Sequence, residues 1–532
     1  MLEATLDFDG SEYLLYAPFQ AKDYLNNDGW RWSPEHRAWR RESLYGFNVD
    51  NLRRIFTVHT TNPAYERIQN LHADFLRSVH AREMSIHFST LQNGNELYDY
   101  QKTGIAFIRQ VGRCILGDAL GLGKTIQSLV AFAEEKSVLI VVPKTLIPQW
   151  VEEIYRTLGH RAIVVDNKNY ENAKAQFMVT NYEQLLRMRY PKHHSAIIFD
   201  EAVRVKNHRS KTAQAAARFS YLADKVVFLT GTPIRNSPQD IWPMLQMIRR
   251  EPLEDSVYWN FVRHFCVVRE YDRYTDIGPL RKNMTEAFQR ELYPYFLRRE
   301  RNEVNLPSLT RQIVNLEMTA EQRRYQKEIV QGLLATPEQE LQTTEALQKI
   351  MRMRQIAVDP TVLGLDGGSP KTAWLKELLD DTEEPILVFS FFRKYLQLLG
   401  QELENNDIIP SYVYGEQTTK VRQNQIQDFL QLKRRVMLAE FETGSVGLNL
   451  QHACHIVVWT DLPWTPDTLE QGTGRIWRNG QQEPVTEYLL LMNGGIDWDI
   501  FELLEEKKKQ ANRVIRMEEL IRKVREQYGK KD

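Results

Sequence analysis

Two short stretches carry residue types and spacings suited to phosphate chemistry. The first is GDALGLGKT (117–125), set between the apolar RCIL (113–116) and the helix-forming IQSLVAFAEE. A glycine-containing turn between strand and helix can aim backbone N–H groups at an anion, and the helix N-terminus adds partial positive charge. In such a loop Gly121 and Gly123 shape the cradle. Lys124 reaches the β- and γ-phosphates, and the Thr125 hydroxyl ligates Mg2+. Asp118 stands where the strict GxxxxGK[ST] pattern has its first glycine. The alternative is an unrelated glycine-rich turn.

The second stretch is AIIFDEAV (196–203), an apolar run ending in two carboxylates. In α/β proteins ligands bind beyond the carboxyl ends of the strands. There Asp200 would hold Mg2+ through water, and Glu201 would act as general base on the attacking water. LTGTP (229–233) ends another apolar run, and Thr230 would sense the γ-phosphate; the other reading is a capping turn. Gln101, in LYDYQKTG (97–104), has an amide suited to an adenine edge.

A third segment, TPDTLEQGTGRIWRNGQ (465–481), opens on Thr465-Pro466, a cap followed by a first-turn proline. Counted from there as a helix, Gln471, Arg475 and Arg478 fall at i, i+4 and i+7 on one face. Two planar, always-charged guanidinium groups suit a transferring phosphoryl group. Gly472 and Gly474 weaken a helix by roughly 1 kcal/mol each and make sense where another surface approaches closely. The alternative is a surface helix laced with salt bridges.

The elements that must position these residues form two series. VLIVVP (138–143), AIVVD (162–166), FMVT (177–180), AIIFD (196–200) and VVFLT (226–230) are the first. ILVFS (386–390), SYVYG (411–415), VMLAE (436–440), HIVVW (455–459) and YLLLM (488–492) are the second. Continuous apolar strands separated by amphipathic stretches predict two parallel sheets covered on both faces. Residues 241–345 read as helical, aromatic and basic. Residues 61–80 read as one amphipathic helix with Tyr65, Ile68, Leu71, Phe75 and Val79 on its apolar stripe. Residues 505–532 read as a charged helix with a solvated face.

Composition is that of an ordinary globular chain: 532 residues, 42% hydrophobic and 26% charged, with a formal net charge of −1. This excludes a histone-like polycation but leaves room for local basic patches. Cys114, Cys266 and Cys454 lie far apart in no zinc-like spacing, which points to a reducing compartment. No apolar run reaches the roughly 18–20 residues of a membrane span, and MLEATLDFDG lacks a secretory pattern.

Together these motifs resemble the Swi/Snf-type DNA-dependent ATPases of helicase superfamily 2. The resemblance runs through most of residues 95–500. It rests on Gln101, GDALGLGKT, VPKTLIPQW (142–150), TNYEQL (180–185), FDEAVRVKN (199–207), LTGTPIRNSPQDIW (229–242) and FLRRERNEVNLPSL (296–309). It continues in GSVGLNLQHA (444–453), DLPWTP (461–466) and EQGTGRIWRNGQ (470–481). It implies an α/β fold of two RecA-like lobes with helical insertions, Mg-ATP hydrolysis and translocation on duplex DNA. The nucleotide would lie in a cleft between the lobes, met by Lys124 from one and Arg475 and Arg478 from the other. Two departures stand out. Val203, where the family commonly has His after Asp-Glu-Ala, cannot hydrogen-bond to LTGTP. The family's Gln-Ala-x-x-Arg reads Gln471-Gly472-Thr473-Gly474-Arg475. Within the family the chain is similar to the compact annealing-helicase (HARP-type) branch, and to a phage or bacterial motor more than to a nucleosome remodeller.

Backbone-directed DNA contacts are expected at Lys144, Thr145, Thr180 and Asn181 and, by resemblance, at Ser390, Thr443 and Gly444. Such contacts bind sequence-independently and with strong salt dependence. Trp464 is read as core rather than as a contact. In WRWSPEHRAWRR (30–41), Trp30, Trp32 and Trp39 are expected to form the core of a small β-rich module. Arg31, Arg37 and Arg40 are expected to face nucleic acid.

The expected organisation is a small N-terminal α+β recognition module (1–58), a helical linker (59–95), lobe 1 (96–240), helical protrusions and linker (241–345), lobe 2 (346–500) and a charged helix (501–532). The expected activity is ATP-driven translocation on duplex, forked or branched DNA by a monomer, either annealing or regressing forks or displacing bound proteins. A strand-separating DNA or RNA helicase and a nucleotide-switched clamp are the alternatives. The expected location is the cytoplasm of a bacterial or phage-infected cell, or the nucleus of a eukaryotic one.

Overall fold

The computed structural model describes all residues except 1, 9–11, 28–29, 43–51, 53–54, 87–90, 93, 95, 232, 235–236, 272–273, 302–305, 332–345, 442–447 and 516–532. The described chain divides into two units. The first takes residues up to Asp118, Lys124–Arg298 and the residues from Ala511 on; the second takes Ala119–Gly123 and Arg299–Gln510.

The first unit opens with a five-stranded sheet: β1 (Leu2–Phe8), β2 (Glu12–Tyr16), β3 (Arg31–Ser33), β4 (Ala38–Glu42) and β5 (Phe56–Thr60), in the order β3-β4-β2-β1-β5. Leu6, Leu15, Leu25, Trp30, Trp39 and Phe56 fill its core. The helix Asn62–Glu83 follows. Val79 is buried on it, as its periodicity predicts, and Phe75 is partly buried against the core. Tyr65 is 55% exposed and leaves the expected stripe, while the side chains of Ile68 and Leu71 lie outside the described residues. Arg82 anchors the helix by donating to the carbonyls of Tyr293 and Phe296, with its guanidinium over the Tyr293 ring at 3.9 Å.

The main sheet of this unit is seven-stranded. Its first six strands are β6 (Arg113–Leu116), β7 (Val138–Val142), β8 (Ile163–Val164), β9 (Phe177–Asn181), β10 (Ala196–Phe199) and β11 (Lys225–Leu229). A hairpin of β12 (Cys266–Tyr271) and β13 (Tyr274–Leu280) stands apart from it. The seventh strand is the two-residue β14 (Phe296–Leu297), giving the order β14-β6-β11-β10-β7-β9-β8. Every neighbouring pair is parallel. Its central strands are buried throughout because helices cover both faces.

The second unit holds a six-stranded parallel sheet. Its strands are β15 (Leu309–Leu316), β16 (Ile386–Ser390), β17 (Ser411–Val413), β18 (Val436–Glu440), β19 (Ile456–Trp459) and β20 (Val485–Met492), in the order β15-β20-β19-β16-β18-β17. All five pairings are parallel. The chain is therefore α/β, with two parallel-sheet lobes, as read from the apolar runs, and a small N-terminal sheet module. Residues 241–345 are less uniformly helical than expected. They contain the β12–β13 hairpin and β14, and β15 pairs along its whole length with β20. The alternation in LTRQIVNL gave β15 no continuous apolar run to recognise. The C-terminal helix is described over Ile496–Ile515. All three cysteines are free and buried.

Candidate active site

In the first unit, β6 leads through Gly117 and Asp118 to the glycine loop, and the helix Lys124–Ala131 begins directly after it. Gly121 and Gly123 both have positive φ, +86° and +73°, a region that glycine enters without steric cost. Asp118 is fully buried and accepts from Gln127 Nε2 at 3.1 Å, which ties it to the helix that begins at Lys124. Lys124 Nζ donates to the Asp118 carbonyl at 2.7 Å. Desolvation pulls the Lys124 pKa down to about 8, partly offset by Asp118, Glu201 and Asp200. A polyanion at this lysine would favour its charged form and raise that pKa again. Thr125 is half-buried in the first helical turn.

Asp200 follows β10, and its N–H donates to the Val141 carbonyl at 2.9 Å, carrying the ladder one residue beyond the strand. Its carboxylate accepts from Trp150 Nε1 at 2.8 Å and from the Glu201 N–H at 2.9 Å. Tyr182 Oη donates to the Asp200 carbonyl at 2.7 Å. Burial, then the neighbouring Glu201 charge, pushes the Asp200 pKa up to about 6. Glu201 sits in the left-handed region at φ +50°, unusual for a non-glycine residue and a form of strain that concentrates at functional sites. A divalent cation would favour ionised Asp200, and each carboxylate oxygen keeps a lone pair beyond its N–H partner. Asp200 therefore fits a hydrated Mg2+, although no cluster of three or more His, Cys, Asp or Glu suited to a metal occurs among the described residues.

Thr230 is buried, with its N–H on the Leu116 carbonyl at 3.2 Å. Gln101 is buried in the helix Asp99–Val111, where its Oε1 accepts from the Tyr98 N–H at 3.1 Å and closes a capping box. Val203 is buried in the short turn Ala202–Val205. Trp150 is a residue of this cluster that sequence reasoning missed. It lies in VPKTLIPQW, and only the fold aims its indole N–H at Asp200.

Thr465 and Pro466 do open a helix, Pro466–Thr473, as cap and first-turn proline. The expected face bearing Gln471, Arg475 and Arg478 is not formed, because the helix ends at Thr473 and only Gln471 lies on it. Arg475 and Arg478 belong to the irregular turn that follows. Arg475 donates to the carbonyls of Gln471 (3.1 Å) and Leu448 (3.5 Å), and Arg478 to Asn449 Oδ1. The glycines do mark close approach. A Cβ on Gly472 would meet the Trp459 ring at 2.5 Å, and one on Gly474 would meet Arg301 Nη2 at 2.7 Å. In this same unit a Cβ on Gly121 would lie 2.8 Å from Arg478 Cβ. Arg301 Nε donates to the Leu120 carbonyl at 2.8 Å, and its guanidinium stacks over Trp477 at 4.5 Å.

The expected DNA contacts are distributed unevenly. Lys144 and Thr145 are exposed in the turn Lys144–Leu146. Thr180 is buried and gives its hydroxyl to the Val165 carbonyl, and Asn181 caps the next helix through Gln184 N–H. Ser390 is buried and donates to Asp461 Oδ1 at 2.7 Å. Side chains so committed leave backbone groups as the contacts these turns can offer. Thr443 and Gly444 lie outside the described residues. Trp464 packs against the second core beneath the Arg354 guanidinium at 4.7 Å.

In the N-terminal module Trp30 and Trp39 are core, as expected. Trp32 is 38% exposed and sits edge-on to the exposed Phe19 at 5.8 Å. Arg31 on the edge strand pairs directly across from Arg40, and Arg37 occupies the connecting turn at φ +48°.

Two parallel sheets, one carrying a glycine loop, a lysine and a carboxylate pair at its carboxyl edge, define a P-loop α/β protein of helicase type. Residues 76–362 match the SNF2-related domain, and residues 370–480 match the helicase conserved C-terminal domain. The first match alone spans more than half of the sequence, and the chain belongs to the SNF2-related family. An uncharacterized ATP-dependent helicase of Mycoplasma genitalium is 28% identical over 500 residues, covering 87% of this chain and 46% of that protein. A SWI/SNF-related matrix-associated actin-dependent regulator of chromatin, subfamily A-like protein 1, of Drosophila melanogaster is 25% identical, covering 79% of this chain and 56% of that protein. The chain thus spans about half the length of these curated relatives. The Sulfolobus solfataricus SWI2/SNF2 ATPase core in complex with dsDNA aligns with a TM-score of 0.39 at 21% identity, over 81% of this chain and 95% of that one. Among the described residues no helix is long and apolar enough to cross a membrane.

Proposed function

We propose that this chain is an ATP-driven translocase on double-stranded DNA that remodels forked or branched DNA or displaces bound proteins. The observation that carries the reading is Lys124, Asp200 and Glu201 gathered at the carboxyl edge of one parallel sheet, in a chain of the SNF2-related family. Lys124 and the loop amides hold the nucleotide phosphates. Thr125 and Asp200 hold Mg2+, which supplies charge neutralisation at the phosphates. Glu201 takes the proton of the attacking water, and Thr230 stands at the γ-phosphate. Arg475 and Arg478 supply positive charge to the transferring group, with Gln471 orienting the water. Lys144, Thr145 and Asn181 meet the DNA backbone, and the Arg31/Arg40 pair with Arg37 gives the N-terminal module its nucleic-acid face. Gln101 takes the adenine side.

An ATPase assay across duplex, forked and single-stranded DNA and RNA, at several salt concentrations, tests this. Stimulation by duplex or forked DNA that weakens with salt is the expected result, and triplex displacement should accompany it. Equal turnover with and without nucleic acid would defeat the proposal. Preferential stimulation by RNA would favour a strand-separating helicase, and ATP binding without turnover would favour a nucleotide-switched clamp.

A further inference from the structure

The segment FLRRERNEVNLPSL begins inside the first unit as a strand laid beside the one that leads to the phosphate loop. Ile115 N–H donates to the Tyr295 carbonyl and Gly117 N–H to the Leu297 carbonyl, both at 2.7 Å. The packing admits no side chain at position 117, since a Cβ there would lie 2.5 Å from the Phe296 ring. That register delivers Arg298 to the mouth of the loop. One nitrogen of its guanidinium, Nη1, donates to the Gly117 carbonyl at 2.9 Å and to the Gly231 carbonyl at 2.8 Å. Gly117 opens the phosphate loop, and Gly231 lies in the LTGTP turn directly after Thr230. Both glycines are buried, and a buried carbonyl without a partner is costly.

We propose that Arg298 is a positioning residue of ATP hydrolysis: one guanidinium nitrogen ties the first carbonyl of the phosphate loop to the LTGTP turn, so the two loops keep a single spacing. The tie runs from an element outside both loops. It also avoids position 203, where valine offers LTGTP no hydrogen bond. A change at the γ-phosphate felt by Thr230 would pass through Gly231 and Arg298 to the loop that holds the nucleotide. Arg298 is held by its two carbonyl partners, and its role is exerted through the two loops. This rests on the ATPase reading above, and its test separates the two.

The test is steady-state ATPase kinetics of the full chain with saturating duplex DNA, comparing wild type, Arg298→Met and Arg298→Lys. Displacing reacting groups by about 1 Å costs on the order of 100-fold in rate. Arg298→Met, which removes the donor that both carbonyls share, should lower kcat by roughly 10–100-fold, with KM for ATP changed by less than about 3-fold. Arg298→Lys, whose ammonium has three donors, should recover most of the loss. Raised KM with wild-type kcat, unchanged kinetics, or a Lys variant as impaired as Met with equally lowered Tm would each overturn the tie. Should the Met protein not fold, the split is read on Arg298→Gln, whose amide is shorter; wild-type kcat there overturns the proposal. If DNA fails to stimulate wild type, the translocase reading falls, while the kcat-against-KM split of Arg298 stays readable on basal turnover.

Discussion

Each parallel sheet has an aspartate just beyond the end of a central strand, and the surroundings of the two differ. Asp200 follows β10 and is met by the N–H groups of Trp150 and Glu201, with its pKa raised to about 6. Asp461 follows β19, where the fully buried Arg354 donates to it at 3.0 Å and Ser390 at 2.7 Å. Arg354 also reaches the Leu462 carbonyl at 2.6 Å and lies over the Phe391, Phe392 and Trp464 rings. Asp461 is therefore paired with a cation of the protein itself, while the two N–H donors that meet Asp200 are neutral. An acid at a strand end becomes a site only where the fold has not already matched it.

The largest test of this contrast is kinetic. Lys124→Ala and Glu201→Gln should each lower DNA-stimulated ATPase by roughly 10²–10⁴-fold while leaving Tm nearly unchanged. A modest loss would place the chemistry elsewhere. On the other side of the comparison, Arg354→Met strands a buried carboxylate and should destabilise the second unit by about 3–5 kcal/mol, read by urea or thermal unfolding. Little change in stability would show that Asp461 is not held by that pair.

A smaller effect concerns His194, held neutral in the first unit between Tyr170 Oη at 2.7 Å and Ser137 Oγ at 2.8 Å. Burial lowers its pKa from 6.5 to about 4. The unfolded chain takes up a proton at higher pH than the folded one. The His194 contribution is thus complete above pH 6.5 and is lost as the pH falls toward 4, by up to about 3 kcal/mol. The fall in Tm between pH 7 and pH 4.5 should shrink in His194→Gln; an equal fall in both proteins would clear His194 of that role. Gly472→Ala, driven against the Trp459 ring, should cost about 1–3 kcal/mol, measurable as a lowered Tm of the second unit. Smallest of all, Arg31→Ala should weaken DNA binding by a few-fold and reduce its salt dependence by about one phosphate contact, with stability unmoved. An unaltered salt slope would remove Arg31 from the interface.

Much of this was legible in the residues. The β-branched runs predicted both sheets because a strand buried on two faces must be apolar along its length, a purely local requirement. The glycine loop, Lys124 and the Asp200–Glu201 pair were legible for the same reason: phosphate chemistry needs those types at short spacing. Pro466 correctly announced a helix start. Its end was misread, since the glycines at 472 and 474 were weighed as a cost within a continuing helix. In the fold Gly474 ends that helix, beside Arg301.

The sequence alone thus determined the class of fold, the phosphate loop and the acidic pair, each encoded within a dozen neighbouring residues. Only the tertiary structure decided that Trp150 serves Asp200, that Arg354 neutralises Asp461, and that Arg298 bridges Gly117 and Gly231. Those partners are 50 to 181 positions apart in the chain, and no local pattern records a distance that only the register of packed strands creates.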